Sequence, residues 1–204
     1  MDCKGDIMRE DIYVYEHAGK LYINLTNQCT NACTFCLRNH TDGIDGQPLW
    51  LQKEPSAKEV IEKLTGLNRY EEVVFCGFGE PIIKLDEIKE VAAYVKEKGK
   101  KTRINTNGHG NAYHGRNIAP ELKGLIDTVS VSLNASSAEH YDALCQSVYG
   151  KDAYAHLLDF AKSCVEAGIH TVLSVVDVVD EEEIEASRKI AESVGATLRV
   201  RHHY

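Results

Sequence analysis

Short runs rich in β-branched and apolar residues alternate with segments of helical periodicity along almost the whole chain, and this alternation most constrains the fold. Ile12-Tyr13-Val14-Tyr15 and Leu21-Tyr22-Ile23-Asn24-Leu25, separated by the turn Glu16 to Lys20, predict an opening hairpin. Further strands are expected at Val73–Cys76, Thr102–Asn105, Thr128–Leu133, His170–Val176 and Thr197–Arg201. Helices fall between them. Ser56-Ala57-Lys58-Glu59 is a capping box ahead of Val60, Ile61, Leu64 and Leu67 on one helical face. Asp86 is placed to cap a helix carrying Ile88, Val91, Ala92 and Val95, and Pro120 stands where a short helix would begin. The box Ser136-Ser137-Ala138-Glu139 opens the next helix, Leu157 to Val165 stripe a longer one that stops at Gly168, and Asp180 caps the last, closed by Gly195. Strands alternating with helices give a parallel sheet with right-handed crossovers. Six such strands are too few for a closed eight-stranded barrel, which leaves an open doubly wound sheet or a partial barrel.

Chemistry concentrates where the first parallel strand ends. Cys29-Thr30-Asn31-Ala32-Cys33-Thr34-Phe35-Cys36 is C-x-x-x-C-x-x-C, and it holds three of the chain's seven cysteines. Cys3, Cys76, Cys145 and Cys164 are scattered and form no second pair of that kind. A tight group in a chain without a secretory leader pattern argues for metal rather than disulfides. Cubane iron–sulfur clusters normally take four thiolates, so three leave one iron free for another ligand. A structural zinc site, with His40 as fourth ligand, and three unligated core cysteines are the alternatives.

Three more polar motifs close successive strands: Gly77-Phe78-Gly79-Glu80-Pro81, Asn105-Thr106-Asn107-Gly108 and Ser130-Val131-Ser132-Leu133-Asn134. Glycines let another group approach the backbone, and Glu80 sets a carboxylate, the natural partner of an ammonium, beside them. Alternate strand residues share a face, which pairs Asn105 with Asn107 and Ser130 with Ser132 and Asn134. Each run alone is turn chemistry. Four of them at the C-terminal ends of successive parallel strands occupy the place where βα barrels build active sites.

The C-x-x-x-C-x-aromatic-C run, with Phe35 as its aromatic, resembles the signature of the radical S-adenosylmethionine (SAM) superfamily. That resemblance implies an α/β fold, a partial (βα)6 TIM-type barrel, here extended by the N-terminal β-hairpin. It implies that Cys29, Cys33 and Cys36 ligate a [4Fe–4S] cluster whose fourth iron binds SAM through its amino and carboxylate groups. Gly77, Gly79 and Glu80 correspond to the methionine-amine motif, Asn105 and Ser132 to SAM-contacting positions, Asn134 to a ribose partner, and Phe35 to the cofactor surroundings. The implied reaction is reductive cleavage of SAM to methionine and a 5′-deoxyadenosyl radical, which abstracts hydrogen from a substrate. Within the superfamily, the run from Tyr13 through Asn39-His40-Thr41-Asp42-Gly43, with Asn107 to Gly110 and His114 to Asn117, is similar to the TatD-linked family, which implies no substrate. Phe78 is a departure, since many members have adjacent glycines there.

The whole chain, 1–204, is expected to form this one domain, with residues 1–11 frayed. Cys145, His109, His114, Arg116 and His202 are the candidates for substrate binding or for hydrogen or proton transfer, and they suit a polar substrate. No second cluster motif is present, so an external one-electron donor of flavodoxin or ferredoxin type is required. Either the substrate or a second copy of the chain would close the barrel's open side. The rival classes are an iron–sulfur electron carrier and a zinc-stabilised binding module; a carrier has no use for the Gly79, Glu80, Asn105 and Ser132 set. A net charge of −8 gives no general nucleic-acid surface, and no apolar run approaches the roughly 20 residues of a membrane span, so a cytoplasmic location is expected.

Overall fold

The computed structural model describes residues 10–177 and 180–201. Strands β1 (Val14–His17) and β2 (Lys20–Ile23) form the expected hairpin. Its turn is tighter than the sequence suggested: Ala18 (φ 47°) and Gly19 (φ 71°) both adopt left-handed backbone, the two-residue geometry that matches the twist of the flanking strands. The cysteine loop follows, then a small hairpin of β3 (Gly43–Ile44) and β4 (Gln47–Pro48). Asp11 is held in place, its carboxylate accepting from the amides of Gln52 (2.7 Å) and Lys53 (2.9 Å).

Helix α1 (Ala57–Lys63) starts at the predicted capping box, with Glu59 and Ser56 exchanging both bonds. It ends before Leu67, which lies in a separate 3-10 turn, Leu67–Arg69, beyond the left-handed Gly66. After β5 (Glu72–Phe75), Glu80 caps the 3-10 turn Pro81–Lys84, and the chain runs directly into α2 (Leu85–Glu97). Asp86 therefore sits inside the first turn and is not the cap. Next come β6 (Lys101–Thr106), the short helices α3 (Gly110–His114) and α4 (Ala119–Leu122), and β7 (Thr128–Ser132). Helix α5 (Ala138–Cys145) is capped by Ser137, one residue later than expected, because the Ser136 amide donates instead to Glu183 (2.6 Å). Helix α6 (Asp152–Glu166), β8 (His170–Val176), α7 (Glu181–Ser193), capped by Asp180 as predicted, and β9 (Thr197–Arg201) complete the chain.

The strand order is β1-β2-β5-β6-β7-β8-β9, and every pair after the hairpin is parallel. A doubly wound sheet reverses its order partway; this one does not. With right-handed crossovers, a sequential order places the helices on one face and curls the sheet toward a barrel. β1 and β9 remain as separate edges, so the barrel is partial.

Val73, Phe75, Ile104, Val129, Val131, Leu173 and Val175 point to the helix layer and are buried with Ile88, Val91 and Val95 of α2 and Leu157 and Phe160 of α6. Burying a side chain of this size contributes about 1.5–3 kcal/mol, so this layer fixes the sheet. The alternate residues, among them Asn105, Ser130, Ser132 and Ser174, share the concave face. At the N-terminal ends of the strands that face is sealed by Glu72, which takes Arg103 (2.6 Å) and Lys20. The C-terminal ends carry the cysteine loop and the three other polar motifs.

Candidate active site

The cysteine loop is held by backbone bonds before any ligand arrives. Ala32 and Thr34, on either side of Cys33, donate their amides to the carbonyls of Cys145 (3.0 Å) and Leu144 (3.0 Å) at the end of α5. Val148 returns a bond to the Thr30 carbonyl (2.9 Å). From the other side, the Arg38 guanidinium donates to the carbonyls of Asn27 (3.2 Å) and Asn31 (3.3 Å), and Asn39 Nδ2 donates to the Cys33 carbonyl (3.1 Å).

Cys29, Cys33 and Cys36 are half-buried free thiols. Burial, reinforced by the Glu80 charge, pushes the Cys29 thiol up to about 12, and a hydrogen bond with Cys145 together with burial raises Cys33 further. Only the thiolate ligates a metal, so a metal bound here would have to displace both protons. The Asn31 amide already points at Cys29 Sγ (3.4 Å), and Asn107 Nδ2 lies 3.8 Å from the same sulfur. Such donors suit a thiolate carrying an iron–sulfur cluster. His40, the zinc alternative's fourth ligand, is exposed, and among the described residues no three His, Cys, Asp or Glu side chains, the three loop cysteines included, converge on one ion position. Cys33 faces Cys145 rather than its loop partners.

The G-x-G-E-P run does two jobs that its sequence did not reveal. A Cβ on Gly77 would lie 2.1 Å from Asn24 Oδ1, and one on Gly79 would lie 2.3 Å from the Thr26 carbonyl and 2.5 Å from that of Gln28. The glycines admit the chain leading into the cysteine loop; in this structure that chain, not a ligand, fills the space. Glu80 is turned inward and is only 4% exposed. Its carboxylate accepts from Thr106 Oγ1 (2.7 Å) and the amides of Asn107 (2.7 Å) and Ile82 (3.1 Å). Burial pushes that carboxyl up to about 7 against the pull of the three bonds. Expected as an ammonium partner, Glu80 is here the brace joining the ends of β5 and β6. Phe78, the departure from adjacent glycines, is buried edge-on against Trp50, with ring centroids 5.2 Å apart.

Asn105 lies on the concave face with its Oδ1 buried and unpartnered, and Asn134 Oδ1 is likewise unpartnered beyond β7. Buried acceptors without donors are costly unless a ligand supplies the donors, so both fit N–H or O–H groups of a bound cofactor. Asn134 holds its place in left-handed backbone (φ 60°), and its Nδ2 donates to Cys145 Sγ (3.4 Å). Ser132 is half-buried at the same end of β7, level with Ser174, and Phe35 packs against the rim of the core.

The substrate candidates divide. Cys145 is fully buried, against Cys33, Asn134 and Tyr141, so it borders the cysteine loop without opening to solvent. His109 is 1% exposed, and burial holds its ring down to about 4, hence neutral. Its Nδ1 lies 2.9 Å from Thr30 Oγ1, inside the cysteine loop. His114 donates through Nε2 to the Ile82 carbonyl (2.9 Å). Arg116 is exposed and paired with Glu121 (2.9 Å), ahead of α4 in the outer helix layer. His202 lies outside the described residues. Thr30, Asn31 and Tyr141 are site-building side chains that the sequence motifs did not point to, although the first two sit between Cys29 and Cys33. Arg199 also reaches across the concave face, its guanidinium 3.5 Å from Ser130 Oγ.

The model of the Radical SAM superfamily matches residues 23–193. GTP 3′,8-cyclase of Corynebacterium glutamicum (strain R) is 29% identical over 198 residues, covering 89% of this chain and 48% of that protein. An uncharacterized protein of Methanocaldococcus jannaschii is 27% identical over 155 residues, covering 74% of this chain and 45% of its own. The chain thus spans about half the length of the curated relatives it matches. Streptococcus suis SuiB bound to S-adenosylmethionine superposes with a TM-score of 0.67 at 18% identity, over 91% of this chain and 41% of that one. TYW1 with a lysine-pyruvate adduct bound superposes with a TM-score of 0.63 at 15% identity, over 91% of this chain and 65% of that one. Identities this low speak for the fold alone. With the family model covering most of the sheet and the cysteine loop, the chain belongs to the radical SAM superfamily, enzymes that use a [4Fe–4S] cluster and SAM.

Proposed function

We propose that Cys29, Cys33 and Cys36 hold the [4Fe–4S] cluster and that SAM binds beside it, against the C-terminal ends of β5, β6 and β7. The observation that carries this is the three-thiol loop, locked by backbone bonds to α5 and meeting the ends of β5 and β6 through Glu80 and Asn107. When bound, the two groups supply reductive cleavage of the sulfonium to methionine and a 5′-deoxyadenosyl radical, which takes a hydrogen atom from substrate. The chain's own residues prepare the place. Asn31 and Asn107 direct N–H groups at Cys29, Gly77 and Gly79 let the loop's root lie flat on β5, and Glu80 keeps β5 and β6 in step. Asn105 and Asn134 offer unpartnered acceptors, and Ser132 a hydroxyl, to the amine and ribose of SAM.

Within the superfamily we place the chain in the TatD-linked group, on the sequence runs around Asn39 to Gly43 and Asn107 to Asn117. It acts as one domain on a polar substrate, takes its electron from an external flavodoxin- or ferredoxin-like donor, and works in the cytoplasm. Among the described residues β1 and β9 end the sheet without pairing to each other, which leaves the barrel side to be closed by substrate or by a second copy. Among the described residues no helix is long and apolar enough to cross a membrane. Anaerobic reconstitution with iron and sulfide tests the ligand assignment: about four irons should bind per chain, the content of one cubane. Replacing all three cysteines by Ala should abolish the brown chromophore. A triple variant that keeps it would sink the assignment.

A further inference from the structure

The strongest unassigned feature is a buried side-chain network that crosses from the end of β6 into the cysteine loop. Thr30, the residue after Cys29, is 6% exposed and carries a hydroxyl between two partners. Asn107 Nδ2 donates to it at 2.7 Å, and His109 Nδ1 stands 2.9 Å away. Since Thr30 Oγ1 already accepts from Asn107 and the His109 ring is neutral, the arrangement that satisfies all three has Thr30 donating to Nδ1. Asn107 is itself fixed twice, its amide donating to Glu80 (2.7 Å) and its Oδ1 accepting from the His109 amide (3.1 Å). On the far side of His109, Nε2 lies 3.4 Å from the Tyr141 hydroxyl, which accepts from Asn31 Nδ2 at 2.9 Å. The imidazole is edge-on to Tyr141 and Tyr149, with ring centroids 6.2 and 5.3 Å away.

We infer that His109 is a positioning residue of the cysteine loop rather than a substrate or proton-transfer group. Its ring is walled in by Thr30, Tyr141, Tyr149 and the Ala153 backbone of α6, and it reaches two adjacent residues of the first spacer, Thr30 directly and Asn31 through Tyr141. Thr30 and Asn31 directly follow Cys29 in the loop, and the Asn31 amide is the donor to Cys29 Sγ. The same network reaches Glu80, so the residues that brace β5 against β6 also set the loop's pose. An imidazole suits this place because it presents two polar atoms on opposite edges of a rigid plane, and burial keeps it uncharged. This inference rests on the cluster assignment proposed above.

The test compares wild type with Thr30→Val, Thr30→Ser and His109→Ala, each reconstituted anaerobically with ferrous iron and sulfide. The readouts are the rate of iron loss to a ferrous chelator and the electron paramagnetic resonance spectrum of the dithionite-reduced protein without SAM. Thr30→Val keeps shape and burial but leaves Asn107 Nδ2 and His109 Nδ1 facing a methyl group. It should release iron at least roughly tenfold faster, since two buried hydrogen bonds are broken, with a broadened resonance. His109→Ala should do the same. Thr30→Ser keeps the hydroxyl and should match wild type in both. Thr30→Val that matches wild type in release and resonance, even with a lowered melting temperature, overturns the inference and leaves the cluster assignment standing. Wild type that takes up no cysteine-dependent iron overturns the assignment, and the inference with it.

Discussion

Replacing Glu80 by Gln should remove a pH dependence of stability that the fold imposes. Glu80 is 4% exposed, and its carboxyl is raised from 4.5 to about 7 by burial. A group whose folded pKa lies above its unfolded one stabilises most below the unfolded value and loses that contribution as pH rises through the folded value. Between the two, the native state holds the proton that the unfolded chain has already released. Each unit in this window is worth about 1.4 kcal/mol, so between pH 5.5 and 8.5 wild type should lose about 2 kcal/mol relative to Glu80→Gln. Taking the difference removes groups common to both proteins, including the buried His109, whose lowered pKa acts in the opposite sense. The variant also sets an amide N–H₂ among donors from Thr106, Asn107 and Ile82, a constant cost of about 1–3 kcal/mol that shifts the whole curve without tilting it. Urea unfolding of both proteins across that pH range is the assay. A difference that is flat with pH would mean an ordinary carboxyl. A difference that moves in wild type's favour as pH rises would mean that the three hydrogen bonds outweigh burial, and the account of this brace would be wrong.

His109→Gln should flatten a different limb: a buried neutral ring contributes stability that is present above pH 6.5 and lost as pH falls toward 4, measurable by the same unfolding curves. Gly79→Ala should destabilise by more than about 2 kcal/mol, because its Cβ would meet two backbone carbonyls, at 2.3 and 2.5 Å, that cannot step aside; a near-native urea midpoint would contradict the packing. Arg116→Ala should change stability by less than about 1 kcal/mol, and reconstituted iron content and SAM affinity should not change, since its pair with Glu121 is on the outer surface.

Much of the architecture was legible because strand and helix periodicities differ and the caps are local. Ser56 and Asp180 cap where the sequence placed them, since each bond closes within three residues. Asp86 and Ser136 misled for a tertiary reason: Glu80 starts the helical path earlier, and Glu183 claims the Ser136 amide from 47 residues away. Periodicity alone left two sheets open; the motifs at the strand ends and the family resemblance pointed to the partial barrel, and the unreversed strand order agrees with it. The site was legible as four motifs at four strand ends. Its wiring was not, because Thr30 and His109 are 79 residues apart, and Asn31 and Tyr141 are 110 apart. Nothing in G-x-G-E-P says that its glycines receive the chain 24–28 or that its carboxylate turns inward. Arg116 was selected by proximity to His109 and His114 in sequence, but the chain between α3 and α4 carries it to the outer layer.

The central claim is that this loop and these strand ends form a site for reductive SAM cleavage, and its most direct measurement is product formation by the reconstituted protein. Incubated anaerobically with SAM and dithionite, wild type should yield 5′-deoxyadenosine and methionine by chromatography, and the variant with Cys29, Cys33 and Cys36 all replaced by Ala should yield none. Iron-replete wild type that forms no 5′-deoxyadenosine, or a triple variant that forms as much as wild type, would contradict the account.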